Sequence, residues 1–383
     1  MSASRIEIKK SALEKNVKFI RNFIDDKTII SAVIKGNAYG HGIEIAVPAL
    51  EEIGINHFSV FSSEEAKRTY KSFKKNSSLM IMGFIEPNDF NWVIKNGIEF
   101  YVYELELLSE ALKYAKKLNK KAVIHLDIET GMNRTGLTKL QLTKAVEIIN
   151  MNRDNFYIRG ASTHFAGAES IANHVRITQQ FKVYQQRLKF LEKHNIIPEI
   201  KHVASSAAAL NYPNYRLDMI RTGIMIFGYW PTKEAFFSYL SKRKLYEDPL
   251  ERAVVWKSNI MSVKKVHQGE FVGYGLGFQA PEDMNVAIIP VGYANGYSRV
   301  LSNNSHVLLH GQRAEVIGTV NMNMILINIS TISEAKIGDE VILIGKQGEN
   351  EITVSSFAEM NYGLNYELLS RLSERIERVL VAQ

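Results

Sequence analysis

The stretch TIISAVIKGNAYGHG, residues 28–42, sets the pattern for the first part of the chain. Its apolar, β-branched run Thr28–Lys35 is typical of a buried strand, and a segment with helical periodicity follows it. Similar runs recur at His57–Ser62, Ser78–Gly83, Glu99–Tyr103, Ala122–Ile128, Phe156–His164, His202–Ser206 and Met219–Gly228. Strands that alternate with helices predict an α/β fold with a parallel sheet. Eight such units favour a TIM-type (β/α)8 barrel over a doubly wound open sheet.

The character of the sequence changes after this region. Between Tyr229 and Pro249, charged and aromatic residues mix, which is typical of a connector. From Ala253 onward strand-like runs dominate, and a helical segment, Ser355–Glu377, is expected near the end. We therefore predict a (β/α)8 barrel over residues 1–240 and a mainly β domain over residues 241–383.

The composition excludes several kinds of site. No cysteine is present among the 383 residues, which rules out disulfides, thiolate metal sites and a cysteine nucleophile. No metal-ligand spacing, P-loop or dinucleotide fingerprint occurs, so we expect no metal. The formal charge of +7 is scattered and indicates a solvated surface rather than a nucleic-acid partner. Because neither a signal peptide nor an apolar run of roughly 20 residues is present, we expect a cytoplasmic protein without a membrane partner.

A lysine closes the first predicted strand, where Ala32–Ile34 runs into Lys35. Barrel enzymes carry their chemistry at the C-terminal ends of the strands. Partial burial there lowers the pKa of an amine and makes it usable for a Schiff base. An isolated lysine at a strand end could simply have reached solvent, but the glycine- and tyrosine-rich segment Gly36–Gly42 favours a functional role.

Polar residues also close the fifth and sixth predicted strands. Arg134 follows the fifth strand among glycines that allow close backbone approach, and its guanidinium could bind a carboxylate or a cofactor oxygen. Alternatively, Arg134 only pairs with Asp127 or Glu129. His164 closes the sixth strand, where a structural role is the common alternative to a functional one.

The loops after the seventh and eighth strands are where barrels often bind phosphate. Here they contain Ser205-Ser206 and Arg221–Ile224, although a serine at a helix start can also be a simple N-cap. In the second domain, Val272–Gly275, Gly292–Arg299 and Gly318–Met324 stand out. By themselves, tyrosines between glycines indicate only turns.

Together these residues resemble the alanine racemase family, which comprises barrel-type (fold type III) pyridoxal-phosphate enzymes. Lys35–Gly42 is close to the family's cofactor-lysine signature, in which alanine usually stands at the position of Gly36. The similarity extends through both predicted domains, in the order Arg134, His164, Arg221, Tyr274, Tyr293 and Met322.

The resemblance implies an alanine racemase that interconverts L- and D-alanine, supplies D-alanine for peptidoglycan and uses pyridoxal 5'-phosphate. Lys35 would hold the cofactor as a Schiff base and act as a base on one face of the substrate. Tyr274 of the other subunit would act on the opposite face. Arg221 would face the pyridine nitrogen, and His164 would link Tyr274 to Arg221.

The remaining roles concern the phosphate and the small amino-acid substrate. The resemblance assigns the phosphate to Tyr39, Ser206, Gly223 and Ile224. Arg134 and the backbone N–H of Met322 would bind the substrate carboxylate, with Asp127 and Tyr293 in support. Because Tyr274 and Met322 would come from the partner, the resemblance implies a homodimer with its active sites at the subunit interface.

The chain departs from the family pattern at several positions. Asp127 stands where many members carry a carbamylated lysine that orients the arginine, and could supply the negative charge directly. The other departures are Ser205, Asn295, Asn323 and Glu374. These changes leave open a racemase of broader specificity for serine or lysine, a non-catalytic pyridoxal-phosphate carrier and, with less support, a decarboxylase.

Overall fold

The computed structural model describes residues 4–243, 247–354 and 365–382. The chain divides into two compact units. We call Leu13–Lys35 with Val47–Glu251 the barrel unit, and Met1–Ala12 with Gly36–Ala46 and Arg252–Gln383 the β unit. The domain boundary predicted between residues 240 and 241 stays a prediction.

Eight parallel strands form the sheet of the barrel unit, in the order β8-β7-β6-β5-β4-β3-β2-β9. Strand β1 (Ser4–Lys9) precedes them and belongs to the β unit. The barrel strands are β2 (Ile29–Val33), β3 (His57–Val60), β4 (Ser78–Ile81), β5 (Glu99–Val102), β6 (Ala122–Asp127), β7 (Phe156–Ser162), β8 (Ile200–His202) and β9 (Met219–Thr222).

Backbone hydrogen bonds join the two outer strands and close the sheet. The N–H of Asp218 donates to the carbonyl of Lys201 at 3.1 Å, and the N–H of Arg221 donates to the carbonyl of Ala204 at 2.9 Å. Each strand therefore neighbours the next one along the chain all the way round. The predicted (β/α)8 barrel is confirmed, and the doubly wound sheet is excluded because its strand order would reverse.

Amphipathic helices alternate with the barrel strands. In the helix after β5, the buried residues Leu108, Ala111 and Ala115 recur at the spacing of one helical face, and Asn119 ends that helix with a left-handed φ of 50°. The α-helices from the N-terminus through the connector are Lys10–Arg21, Ile43–Glu52, Ser63–Ser72, Phe90–Lys95, Leu105–Leu118, Lys139–Met151, His174–Lys193, Ser206–Asn211 and Lys233–Arg243.

Every barrel strand is shorter than predicted, and the predictions for β8 and β9 differ most from the structure. β9 ends at Thr222 rather than Gly228, because the backbone turns at residues 223–228, where the N–H of Phe227 bonds to the carbonyl of Ile224 at 3.1 Å. Both of these side chains are buried. A buried apolar turn therefore has the same composition as a buried strand. The predicted strand His202–Ser206 is wrong except at His202, because β8 spans Ile200–His202 and Ser206 begins a helix.

The β unit is a single mainly antiparallel sheet, in the order β11-β12-β15-β14-β13-β16-β10-β1-β18, with β17 paired to β16. Only β1 and β18 are parallel among the pairings of the described residues. Its other strands are β10 (Val254–Asn259), β11 (Ser262–Val266), β12 (Met284–Ile289), β13 (His306–Leu309), β14 (Gln312–Ile317), β15 (Ile325–Asn328), β16 (Glu340–Gln347), β17 (Asn350–Ile352) and β18 (Glu377–Val381).

The predicted C-terminal helix is wrong in part. A helix spans Asn365–Ser370, but the chain then turns and enters β18 at Glu377. Residues 355–364 of the predicted helix lie outside the described residues. No helix within the described ranges is both long and apolar enough to cross a membrane.

Candidate active site

Lys35 lies just beyond β2, where the N–H of Ile34 bonds to the carbonyl of Ser59 at 2.9 Å. Its side chain reaches solvent, yet the atoms packed around it lower the pKa of the amine, and the positive charge of Arg134 lowers it further. The carboxylate of Glu65 acts in the opposite direction. A lowered pKa leaves more of the amine uncharged, and the uncharged amine is the form that attacks a carbonyl carbon.

The segment after Lys35 forms a left-handed turn in the β unit. Gly36, Asn37, Ala38 and Tyr39 have φ angles of 62°, 53°, 56° and 51°. This conformation costs about 1–2 kcal/mol for each residue that is not glycine. Such a cost persists only where the surroundings enforce it, and this is common at functional sites.

Contacts within the β unit enforce the left-handed turn. Nδ1 of His41 lies 2.9 Å from the carbonyl oxygen of Ala38, and Nε of Arg378 donates to the carbonyl of Gly40 at 2.8 Å. Burial lowers the pKa of His41 to about 3, so its ring stays neutral. Gly40 has a φ of 82°, and an added Cβ there would overlap the carbonyl of Leu369, so no other residue fits.

Asp127 ends β6 as a buried carboxylate held by hydroxyl groups. It accepts hydrogen bonds from Thr135 Oγ1 and Ser162 Oγ, both at 3.1 Å. Burial raises its pKa, while Thr135 and the positive charges of Arg221 and Arg134 act in the opposite direction. A direct contact between the charges of Asp127 and Arg134 was expected, and it is absent among the described residues. The two side chains interact only electrostatically, over a longer distance.

Glu129 does not bind Arg134 either. Its carboxylate accepts from the backbone N–H of Gly131 and, at 3.0 Å, from that of Asn133. The alternative in which Arg134 only pairs with a neighbouring acid is thus wrong. The exposed guanidinium of Arg134 makes no hydrogen bond or ion pair within the described part of the chain, which leaves its donors available to a ligand.

Arg221 is the most enclosed cation of the site, with 6% of its surface exposed. Nη2 donates to the carbonyls of Thr163 at 2.9 Å and Val203 at 3.3 Å, and lies 3.5 Å from His164 Nδ1. Nη1 donates to the carbonyl of His202 at 3.0 Å and to Nδ1 of the same residue at 2.7 Å. The guanidinium is therefore fixed by carbonyls and imidazoles.

His164 lies beside this guanidinium as a neutral ring. Burial lowers its pKa to about 3, and the positive charges of Arg221, Arg134 and Lys35 contribute in the same direction. Because Arg221 can only donate, His164 accepts at Nδ1 and carries its proton on Nε2.

A hydroxyl group connects the loops after β8 and β9. Ser206 Oγ lies 3.1 Å from Thr222 Oγ1 and accepts from the N–H of Gly223 at 3.3 Å. Ile224, the next residue, is buried. Ser205 instead caps its helix by accepting from the N–H of a residue in the first turn. The structure thus brings Ser206 and Gly223 together, and gives Ser205 the N-cap role.

Three predicted residues belong to loops of the β unit and are exposed in the single chain: Tyr274 by 73%, Met322 by 56% and Tyr293 by 42%. The N–H of Tyr293 bonds to the carbonyl of Asn321 at 3.0 Å, and Thr319 Oγ1 donates to the carbonyl of Tyr274 at 3.3 Å. The loop at residues 318–324 therefore joins all three.

The residues that depart from the family pattern mostly have a structural role or are exposed. Asn295 Oδ1 accepts from the N–H of Gly292 at 3.1 Å and closes the turn that contains Tyr293. Asn323 and Glu374 are exposed. An amide at position 295 can make this bond as well as a carboxylate can.

Sequence reasoning missed the polar residues behind Arg221. His57, Glu99, His125 and His202 lie on β3, β5, β6 and β8, where each is buried in the barrel unit. A signal was present, because charged and imidazole side chains inside short apolar strands are costly unless they are hydrogen-bonded. Their chain positions alone do not indicate that they meet.

Known proteins match this chain along nearly its whole length. Models of the alanine racemase N-terminal and C-terminal domains match residues 8–231 and 253–380. Alanine racemase 1 of Caldanaerobacter subterraneus is 33% identical over 377 residues, which are 98% of this chain and 94% of that protein. The alanine racemase of Methanococcus maripaludis is 32% identical over 97% of both chains.

A solved structure of alanine racemase from Clostridium difficile 630 superposes with a TM-score of 0.89 at 30% identity, over 99% of this chain and 96% of that one. The resemblance noted in the sequence is therefore confirmed by domain models, by relatives and by fold. The chain belongs to the alanine racemase family of amino-acid isomerases.

Proposed function

We propose that this chain interconverts L-alanine and D-alanine with pyridoxal 5'-phosphate as cofactor, and so supplies D-alanine for peptidoglycan. One observation carries the proposal. The strand ends of one barrel combine Lys35, whose amine has a lowered pKa, with Arg221, a buried guanidinium whose partners among the described residues are all carbonyls and imidazoles. Nothing observed favours the carrier, the decarboxylase or the broader racemase.

The donors at the strand ends fit that cofactor. Lys35 offers an amine for its carbonyl carbon. All hydrogen bonds of Arg221 to described residues use Nη1 and Nη2, which leaves Nε–H for the ring nitrogen. The hydroxyl of Ser206 and the N–H of Gly223 already meet and suit a phosphate. We assign the phosphate to Tyr39, Ser206, Gly223 and Ile224.

Racemisation needs a proton removed from one face of Cα and a proton delivered to the other. When bound, the cofactor supplies a ring that withdraws electrons and lowers the energy of negative charge at Cα. Lys35 Nζ serves one face, and Tyr274 Oη serves the opposite face. Arg221 donates a hydrogen bond without giving up its proton, which tempers that withdrawal and disfavours transamination. Neutral His164 links Tyr274 to Arg221.

The substrate carboxylate requires cationic or N–H donors. Arg134 is exposed and can bind a carboxylate with two parallel hydrogen bonds. The backbone N–H of Met322 is the second donor in this proposal. Asp127 and Tyr293 support the loops that carry these two donors.

We further propose a cytoplasmic homodimer in which the partner subunit's Tyr274 completes each site. Large apolar and aromatic side chains are exposed on the loops of the β unit: Tyr274 by 73%, Leu276 by 80%, Met322 by 56% and Met324 by 36%. Exposed apolar and aromatic side chains of this kind support a protein interface.

The test is an exchange experiment on the purified protein. The cofactor's visible absorbance is recorded first, and the protein is then incubated with L-alanine, L-serine or L-lysine in D2O. Chiral chromatography and mass spectrometry follow D-isomer and deuterium at Cα. We expect D-alanine to appear fastest, with deuterium incorporated, and Lys35→Ala to lower both rates by roughly 100-fold or more.

Other outcomes identify the alternatives. Faster exchange of serine or lysine would indicate the broader racemase, and release of carbon dioxide would indicate a decarboxylase. Bound cofactor without exchange of any amino acid would indicate a carrier. Each of these results contradicts the proposal.

A further inference from the structure

A continuous chain of hydrogen bonds crosses the interior of the barrel unit behind Arg221. Arg221 Nη1 lies 2.7 Å from His202 Nδ1, and His202 Nε2 lies 2.9 Å from His125 Nδ1. His125 Nε2 lies 2.7 Å from Glu99 Oε2. All four residues are buried, and the two imidazoles are completely enclosed. One cation and one carboxylate are therefore connected through two histidines.

The two ends of this chain determine where its protons lie. A guanidinium can only donate, so His202 Nδ1 accepts and its proton is on Nε2. That Nε2–H donates to His125 Nδ1, so His125 also carries its proton on Nε2. This second Nε2–H donates to Glu99, and an ionised carboxylate can only accept. Only two neutral Nε2–H histidines satisfy every bond.

The surroundings keep these protonation states. Burial alone would raise the pKa of Glu99, but hydrogen bonds from His125 and His57 hold it well below its usual range. Burial lowers the pKa of His125 and His202, so both rings stay neutral, although Glu99 acts on His125 in the opposite direction. Arg159 Nε lies 3.5 Å from Glu99 Oε1, which adds a further positive charge.

We propose that Glu99 is a positioning residue for racemisation. Through His125 and His202 it fixes an acceptor opposite Arg221 Nη1, and this holds the guanidinium in the orientation that presents Nε–H to the cofactor ring. The inference rests on the function proposed above. Without the carboxylate, the ring proton of either histidine could move from Nε2 to Nδ1. The N–H at Nδ1 of His202 would then face the N–H of Arg221 Nη1, and no hydrogen bond could form between them.

The barrel unit contains a matched control in His57. Its Nε2 also contacts Glu99 Oε2, at 3.2 Å, and its Nδ1 lies 2.9 Å from Ser31 Oγ. His57 is buried like the four residues of the hydrogen-bond chain, but it is not on the hydrogen-bond path from Glu99 to Arg221. A substitution there removes a similar buried hydrogen bond without interrupting the path to Arg221.

The experiment compares wild type, Glu99→Gln and His57→Asn as holoenzymes. Neutron diffraction from deuterated wild-type crystals reads the ring deuterons directly, and we expect them on Nε2 of His125 and His202. In Glu99→Gln we expect kcat to fall roughly tenfold to a hundredfold with KM little changed, as for other groups that orient a functional residue. The visible band of the cofactor should shift in this variant only.

Three results would overturn the inference. They are a deuteron on Nδ1 of His125 or His202, a wild-type kcat and spectrum in Glu99→Gln, or equal losses of kcat in both variants. If Glu99→Gln does not fold, the deuteron positions in the wild-type neutron map still test the inference. A wild type inert toward alanine would instead defeat the proposed function, and the proton positions would remain testable separately.

Discussion

At the scale of single residues, Asp127 is a buried carboxylate that accepts two hydrogen bonds from described residues, both from hydroxyl groups. One of these hydroxyl groups belongs to Thr135, which directly follows Arg134 in the chain, and it donates to Asp127 at 3.1 Å. Asp127 therefore acts on Arg134 in two ways, through the position of the loop and through charge at a distance. Both effects concern substrate binding rather than proton transfer.

We expect Asp127→Asn to raise KM for alanine roughly fivefold with a smaller change in kcat, because one hydrogen bond of about 1 kcal/mol no longer holds the Arg134 loop. Steady-state kinetics measure this, and added bicarbonate should change nothing because no lysine is available at this position to carry a carbamate. Ser162→Ala is the matched control, since it removes the other 3.1 Å bond away from that loop. An unchanged KM in Asp127→Asn would contradict the expectation.

The stability of the same variant gives an independent check on folding. The raised pKa means that the folded protein holds this proton more tightly than the unfolded chain does. Wild-type stability therefore falls as pH rises from the unfolded pKa, about 3.9, through the folded one. Asp127→Asn lacks this loss, so the melting temperature of the variant relative to wild type should rise as pH increases from about 3.9 to neutral.

Prediction from sequence succeeded unevenly among single residues. Lys35 was found because a glycine- and tyrosine-rich segment follows it at a predicted strand end, and the role of Arg221 was inferred from the resemblance to a known family. Glu99 and His125 were not found, because their role depends on which inward-facing side chains meet inside the barrel. Strand pairing and register decide which side chains meet, and the local sequence pattern does not contain this information.

At the scale of elements, the left-handed turn at residues 36–39 depends on a residue near the other end of the chain. Arg378 donates to the carbonyls of Gly40 at 2.8 Å, Ile376 at 2.7 Å and Ser373 at 3.0 Å. The glycine-rich segment was recognised in the sequence, but its conformation and this distant partner were not. In the sequence, only the content of glycine and asparagine indicates a strained turn.

We expect Arg378→Met to lower the free energy of unfolding by roughly 2–4 kcal/mol, because several charge-assisted bonds to carbonyls are lost together. Cofactor affinity should fall as well, since the proposed phosphate ligand Tyr39 lies in this turn. Denaturant unfolding and cofactor titration measure the two effects.

Arg371→Met is the matched control for this element. Arg371 forms an exposed ion pair with Glu367, four residues earlier, and such pairs contribute about 0.5 kcal/mol or less. Equal losses of stability in the two variants would show that the turn does not depend on Arg378.

Element boundaries were the least predictable feature. The residues after Thr222 were expected to extend β9 because they are apolar, whereas they form a buried turn. Hydrophobicity reports burial, and in a barrel both strands and the turns beneath its loops are buried. The barrel order of the eight strands, in contrast, was predicted from the alternation of strands and helices together with the count of eight units.

At the scale of the whole molecule, the proposed dimer distributes each active site over two subunits. Tyr274 is 73% exposed in one chain, which is unusual for a catalytic base and expected for a residue completed by a partner. A mixed dimer tests this arrangement directly. One subunit carries Lys35→Ala, the other carries Tyr274→Phe, and different affinity tags allow the mixed species to be isolated.

Each variant homodimer should lose roughly 100- to 10,000-fold in kcat, because each lacks one base at both sites. In the mixed dimer, one site contains both substitutions and the other contains neither. Its kcat should therefore recover to about half that of wild type, since one of two symmetry-related sites is intact. If Lys35 and Tyr274 acted within the same subunit, every site would retain one defect. The mixed dimer would then stay as inactive as its parents, and Tyr274 could not be a residue shared across the interface.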